Sequence, residues 1–369
     1  MLKRVYIDNY KCFANFEIEF GQINLILGAN GSGKTVLFEV IRRLRNLLTN
    51  RAEVEDLFPH SSLTRWDKRL IQTFEMELEG NGGTYLYHLE IEHNQEPGRI
   101  KEEKLYFDRD ILFSFEKGFV QLWQDGRGKA PYKAGPSYET YWGASALAFR
   151  TPHADNSLLT WFKDHVKSLN VLRIDPISIE ARSEKEEGQP QENLSNFSSW
   201  YRHLTQENTG KLNDFFKDLQ AIGFKSLSLK ADGEKIRLLH VEQITETGKT
   251  ISYTFEELSD GQRVLIALYA ILHFGMVENS IFCLDEPEAY VGLREIQPWL
   301  MELQDVCMTN RSQVLLISHH PEIIDQLATG EGLRLSRPNN GPVRAAKWVS
   351  HDETGLRPSE IIARGDDEE

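Results

Sequence analysis

The chain opens with alternating apolar positions, Leu2, Val5 and Ile7, then Phe16, Ile18 and Phe20. A period of two predicts two half-buried strands, over 2–8 and 16–20, with a short turn from Asn9 to Asn15. Ile23 to Leu27 is a nearly continuous apolar run and reads as a buried strand. From Thr35 to Leu48 the period changes, and Leu37, Val40, Ile41, Leu44 and Leu48 fall on one helical face. Thr49 to Lys68 is polar, a loop with room for one short helix. Leu70 to Gln124 reads as a β meander: Phe74 to Leu78 and Tyr85 to Ile91 alternate around the hairpin signal Asn81-Gly82-Gly83, and Asp125 to Gly128 closes a further turn.

Gly135 to Pro152 has no clear period. Leu158 to Leu169 predicts a helix, Val171 to Ile174 a short strand, and the polar run Ser183 to Asn193 a mobile segment. A long helix is expected over Phe197 to Ile222, and strands over Phe224 to Phe255. Gln262 to Val277 is a strongly apolar helix and Ile281 to Leu284 a buried strand. A helix from Leu293 to Cys307, a strand from Val314 to Ile317, a short helix from Pro321 to Leu327 and strands near Leu333 and Val343 to Val349 complete the pattern.

Composition narrows the class. With 369 residues, 40% hydrophobic and 27% charged, the chain is of ordinary globular make-up and long enough for two domains, or for one with a large insertion. No apolar run is long enough to span a bilayer, and the start turns polar at Asp8 and Asn9, unlike a secretory signal. Cys12, Cys283 and Cys307 are far apart and lack metal-ligand spacing. These features predict a cytoplasmic protein with no membrane contact. The net charge of −14 argues against nucleic-acid binding through the overall field. DNA contact would need a local patch, for which Lys3-Arg4, Arg42-Arg43-Arg45 and Arg65, Lys68, Arg69 are candidates.

The chemistry concentrates in a few stretches. Gly28-Ala29-Asn30-Gly31-Ser32-Gly33-Lys34-Thr35 fits the P-loop (Walker A) pattern, and the expected strand before it and helix after it supply the right context. Backbone N–H groups of such a loop and the helix N-terminus cradle phosphate oxygens. Lys34 adds a full charge at the β- and γ-phosphates, and the Thr35 hydroxyl can ligate Mg²⁺. Ile281 to Glu286 fits Walker B, a hydrophobic strand ending in two carboxylates. Asp285 is then a Mg²⁺ holder, and Glu286 orients the attacking water. Ser259, ahead of the helix that starts near Gly261, reads either as an N-cap or as part of an anion site. His319, just past the strand ending at Ile317, reads either as a γ-phosphate contact or as a surface loop histidine.

In order, these motifs are the P-loop, Leu258-Ser259-Asp260-Gly261-Gln262, Leu284-Asp285-Glu286-Pro287 and Ile317-Ser318-His319. The series resembles an ABC-type ATPase head with Walker A, signature, Walker B with D-loop, and H-loop. The opening, Val5 to Phe13 followed by Phe16 to Phe20, resembles the SMC, RecF and OLD branch. Asp285-Glu286-Pro287-Glu288 and Ser318 to Glu322 are closest to OLD-like ATPases, many of which serve bacterial anti-phage defence and DNA maintenance. The resemblance covers the first ~50 residues and the last ~110. It implies an α/β fold: a P-loop NTPase of the ABC-head type with a mixed sheet, an N-terminal antiparallel β meander and an inserted helical lobe. It divides a single head spanning 1–369 into a nucleotide-binding lobe (1–135), an inserted helical and β lobe (136–256), the motif-bearing segment (257–350) and an acidic tail (351–369).

The resemblance further implies ATP and Mg²⁺ as cofactors and a homodimer, or larger oligomer, with ATP at the interface. Lys11, Asn30, Gly31, Ser32, Gly33, Lys34 and Thr35 would contact nucleotide. Ser259 and Gly261 would cap it from the second subunit. Thr35 and Asp285 would hold Mg²⁺, while Lys34, Glu286 as base and His319 as γ-phosphate sensor would carry catalysis. No Q-loop glutamine is evident, and Gln72 reads better as an ordinary strand residue. Val291-Gly292 stands where relatives often have Leu-His-Pro. About 50 residues follow His319, too few for the Toprim nuclease domain of OLD nucleases. The expected function is therefore an ATPase acting with a separately encoded effector, of nuclease type. The alternatives are a RecF-like repair ATPase that binds DNA directly and a non-hydrolysing ATP-dependent sensor or scaffold.

Overall fold

The computed structural model describes residues 1–94, 97–123, 141–150, 156–245, 247–349 and 355–365. The turn expected at Asp125 to Gly128, and residues 351–354 and 366–369 of the acidic tail, lie outside them. In chain order the elements are β1 (Leu2–Asp8), β2 (Phe16–Glu19), β3 (Ile23–Leu27), α1 (Lys34–Thr49) and α2 (Val54–Leu57). The meander follows as β4 (Ile71–Gly80), β5 (Gly83–Glu92), β6 (Arg99–Phe107), β7 (Asp110–Glu116) and β8 (Phe119–Leu122). After α3 (Ser157–Lys167) come β9 (Leu169–Leu172), β10 (Arg182–Ser183), α4 (Phe197–Glu207) and α5 (Leu212–Ala221). Next are β11 (Ser226–Ala231), β12 (Arg237–Ile244), β13 (Thr250–Thr254), α6 (Asp260–Ala270), β14 (Ile281–Asp285) and α7 (Leu293–Asn310). The last elements are β15 (Gln313–Ile317), α8 (Pro321–Glu331), β16 (Gly332–Ser336), β17 (Arg344–Lys347) and α9 (Pro358–Arg364).

Two compact units share the chain. The first comprises Met1–Gly21, Ile26–Leu169 and Gly332–Trp348. It holds a seven-stranded antiparallel sheet in the order β2-β1-β4-β5-β6-β7-β8. Val5 pairs with Ile18 and Ile7 with Phe16, so the alternation seen at the start of the chain places one apolar face inward. Helix α1 buries Leu37, Phe38, Val40, Ile41, Leu44, Leu47 and Leu48. Gln72 lies in this core as a strand residue: its Nε2 donates to Asn9 O and to Ser62 Oγ, both at 3.1 Å. Glu103 is fully buried and is satisfied by Tyr87 Oη, Ser145 Oγ and the backbone N–H of Ala146, as a charge in a sheet core requires.

The second unit comprises Gln22–Leu25, Asn170–Glu331 and Val349–Glu369. Its β14 and β15 run parallel, with Asp285 opposite Ile317, and both are buried along their whole length, as parallel strands require. β12 forms a second, antiparallel sheet with β10, β11 and β13. Helices differ from the periodicity in two places. The stretch Phe197 to Ile222 breaks into α4 and α5, because Asn208 and a short 3₁₀ turn over Thr209–Lys211 interrupt it. The apolar helix over 262–277 starts at Asp260 and widens into a π-helical turn, Ile271–Gly275. The polar run 183–193 is tied down: Glu187 N donates to Ser199 O at 3.2 Å, and Asn196 Nδ2 donates to Glu187 at 2.6 Å and to Gln189 O at 3.0 Å.

Candidate functional site

In the first unit the loop 28–35 joins β3 to α1. Gly28 has φ 143°, and a Cβ there would stand 2.2 Å from the Leu335 carbonyl oxygen. Only glycine combines that dihedral with that close approach. Gly33 occupies the N-cap of α1 in the left-handed region, φ 100°, and offers the helix no side-chain acceptor. No side chain therefore caps the start of α1, and a helix N-terminus of this kind is where an anion binds. The Ser32 hydroxyl is buried and has no hydrogen-bond partner. Lys34 is buried, with Nζ donating to Gly28 O at 2.6 Å and Ala29 O at 3.2 Å. Asn30, Gly31 and Thr35 are exposed. A phosphate group fits this cradle: it would accept from the N–H groups and Ser32 and draw the Lys34 ammonium off the loop carbonyls. The Thr35 hydroxyl, at the open rim, is a donor of the right kind for Mg²⁺.

Lys11 is placed differently from the other nucleotide candidates. It has φ 48°, and its Nζ donates to Glu39 Oε2 at 2.5 Å on the flank of α1. Arg43 pairs with the same carboxylate at 2.5 Å. Burial works against the charge on Glu39, but the Lys11 hydrogen bond and the Arg43 charge outweigh it and hold the carboxyl below its ordinary range.

Several residues of the candidate basic patches are likewise engaged by carboxylates. Arg4 pairs with Glu17, Glu75 and Glu77, Lys3 with Glu79, and Arg69 with Asp8 and Asp67. Such pairing lowers the positive charge that Lys3, Arg4 and Arg69 offer a polyanion.

The second unit carries the carboxylates. Asp285 ends β14 and is buried. Glu286 follows in the left-handed region, φ 50°, and its N–H donates to Ile317 O at 2.8 Å. A non-glycine residue held there costs about 1 kcal/mol or more, and the turn directs Glu286 away from the strand. His319 Nε2 lies 3.9 Å from Glu286 Oε1. Asp285 and Glu286 line a cavity of about 670 Å³, together with Arg173, Asp175 and Tyr290. The strand ends thus bring an acidic pair onto the wall of a polar cleft, with a histidine beside Glu286, where a water could be held and deprotonated.

Ser259 and Gly261 each have an intramolecular task. Ser259 Oγ accepts from Gln262 N at 3.3 Å and Gln262 Oε1 accepts from Ser259 N at 3.1 Å, a reciprocal capping box on α6. A Cβ on Gly261 would lie 2.4 Å from Tyr290 O. Arg263 donates to Pro176 O at 2.8 Å and pairs with Asp260 at 2.7 Å, which fixes the start of α6 against the segment lining the cleft.

Glu288 belongs to the Asp285-Glu286-Pro287-Glu288 motif, but the sequence assigns it no role. It is buried, and its Oε1 accepts from Ser318 Oγ at 2.6 Å and from His319 N at 3.3 Å. Burial raises its carboxyl above the ordinary range, against the Ser318 hydrogen bond. A carboxylate two residues beyond the Walker B pair, inside that motif, was the sequence signal for it. Glu288→Ala should lower stability by about 2 kcal/mol, because two buried donors lose their acceptor. Glu288→Gln, which keeps an acceptor oxygen, should lose markedly less. Urea denaturation midpoints of the two variants check this.

Comparison with known proteins follows the same lines. No curated protein matches the chain. Among solved structures, the SMC head domain from Thermotoga maritima is similar over 95% of this chain and 99% of that one, with a TM-score of 0.50 at 12% identity. The fold is therefore the α/β fold of a P-loop ATPase head. Residues 23–325 match the family model described as "AAA domain, putative AbiEii toxin, Type IV TA system", a span that takes in every motif from the P-loop to His319, and the chain belongs to that family.

Proposed function

We propose that this protein binds ATP and Mg²⁺, hydrolyses ATP, and dimerises around it, so that the nucleotide state of the dimer regulates a separately encoded effector of nuclease type in anti-phage defence or DNA maintenance. The observation that carries the reading is the loop 28–35: an uncapped helix start, an orphaned Ser32 hydroxyl and a buried Lys34 ammonium that donates to the loop carbonyls of Gly28 and Ala29. In the proposed roles, Gly31 to Thr35 hold the phosphates and Asn30 lies near the γ-phosphate. Thr35 and Asp285 hold Mg²⁺, Glu286 is the base, and His319 senses the γ-phosphate. Ser259 and Gly261 present the start of α6 to the nucleotide of a second copy. Lys11 serves through Glu39, by fixing the flank of α1. The family description, which names a toxin of a TA system, is in keeping with a role in defence, and the carboxylate pairing of Lys3, Arg4 and Arg69 favours a partner over direct DNA binding.

Purified protein should turn over ATP in Mg²⁺ and stop in EDTA, and its mass by light scattering should double when ATP is added. Absence of both turnover and the mass change would overturn the reading. The effector is tested by mixing the protein with the product of the adjacent reading frame and following DNA cleavage with and without ATP. Cleavage that ignores both the protein and ATP would remove the effector role.

A further inference from the structure

The surroundings of the phosphate loop hold an aromatic platform that the motifs do not use. Trp66 is 47% exposed, a large share for an indole. It sits on a tight turn in which Asp67 N donates to Thr64 O at 3.0 Å. Thr64 in turn donates through Oγ1 to Phe13 O at 3.2 Å and through N to Asn9 Oδ1 at 3.2 Å. The Phe13 ring and Cys12 Sγ both stand 3.3 Å from where a Cβ on Gly33 would be. The turn bearing Trp66 is thus anchored on residues that pack against the phosphate loop.

A second chain segment reaches the same place. The β16–β17 hairpin puts Leu335 O against Gly28 and Val343 Cγ2 against Gly33. Between those two contacts Arg337 leaves the hairpin, with Nε donating to Gly341 O at 2.9 Å. Its guanidinium lies 5.4 Å from the centroid of the Trp66 ring. Arg337 lies over the indole, and nearly half of the Trp66 residue stays exposed. A rigid, half-open indole backed by a guanidinium is a surface on which a planar base stacks.

We propose that Trp66, backed by Arg337, is the stacking platform for the purine base of the nucleotide whose phosphates the loop 28–35 holds. This rests on the ATP reading and adds to it the recognition of the base. The indole presents area to any ring, so it favours a purine over the smaller pyrimidine.

The test is equilibrium binding of ATP, CTP and inorganic tripolyphosphate to the wild-type protein, Trp66→Ala and Trp66→Phe. Trp66→Ala should weaken ATP about tenfold, weaken CTP less, and leave tripolyphosphate unchanged. Trp66→Phe should stay within about threefold of wild type for ATP, since it keeps a ring. The exposed position of Trp66 makes all three proteins foldable. Unchanged ATP binding by Trp66→Ala overturns the proposal, and so does an equal loss for ATP and tripolyphosphate, which would place the effect in the phosphate loop. Wild-type protein that binds tripolyphosphate as tightly as ATP overturns the base platform and leaves the phosphate site standing. Wild-type protein that binds none of the three overturns the ATP reading, and the platform with it.

Discussion

Glu286→Gln should lower ATP turnover by about 10²–10⁴-fold while leaving ATP affinity near that of the wild type. The substitution keeps size and shape and removes the charge that can take a proton from water. Its position supports so specific an effect. Glu286 stands in a left-handed turn, its backbone N–H is held by Ile317 O, and its carboxylate, on the cleft wall, is 3.9 Å from His319 Nε2. Because the backbone contact does not involve the side chain, the variant should fold as the wild type does. Bound ATP that is not cleaved should then accumulate, and with it the ATP-dependent dimer, visible as a stable doubled mass after excess nucleotide is removed. A non-hydrolysing sensor behaves otherwise: the wild type and Glu286→Gln would show the same nucleotide retention and the same negligible phosphate release. Single-turnover phosphate release, measured beside nucleotide retention, separates the two.

The parts of this molecule that were legible in its sequence are those governed by local periodicity. The strands β1 and β2, the buried β3 and the helix α1 follow from spacing alone, because each buries one face or both faces and the period reports which. The loop between β3 and α1 was legible for a similar reason: its glycines take positive φ, although the Leu335 carbonyl that also crowds Gly28 is not announced by the sequence. Contacts made across the chain were not legible. Gly261 is a glycine because the Tyr290 carbonyl stands where a Cβ would be, and nothing near Gly261 announces that neighbour. Glu288 holds the His319 loop through Ser318, and Trp66 meets Arg337, by packing between distant segments. The break between α4 and α5 was missed because the apolar positions on either side of Asn208 keep a helical spacing even where the backbone does not.

Ser259 shows how one residue can satisfy two readings at once. As the N-cap of α6 it closes a capping box with Gln262, which explains the serine without any ligand. The same box also fixes the start of the helix rigidly, and a helix N-terminus held in place by its own cap remains an electropositive end. The structural task and the proposed task toward a second copy are therefore separable by substitution. Asp or Thr at this position preserves the cap but changes the charge or bulk offered to a phosphate.

Lys34→Ala should weaken ATP binding on the order of 10²-fold, the loss expected when one partner of a desolvated, hydrogen-bonded charge pair is removed. The lysine is buried at the base of the loop, and without nucleotide its Nζ donates to Gly28 O and Ala29 O. Charge-assisted bonds to phosphate oxygens are roughly twice as strong as bonds to neutral acceptors, so phosphate should draw the ammonium from those carbonyls. Truncation also leaves two loop carbonyls without their donor, so some loss of stability is expected even without ligand, about 1 kcal/mol. Melting curves with and without ATP distinguish the two effects. At a concentration near a hundred times the wild-type dissociation constant, ATP should stabilise the wild type by about 2.7 kcal/mol. The same concentration should stabilise Lys34→Ala by only about 0.4 kcal/mol, whatever its starting melting temperature. An Ala variant that gains as much from ATP as the wild type does would mean that the loop's backbone alone holds the triphosphate, and that the buried ammonium serves only to close the loop.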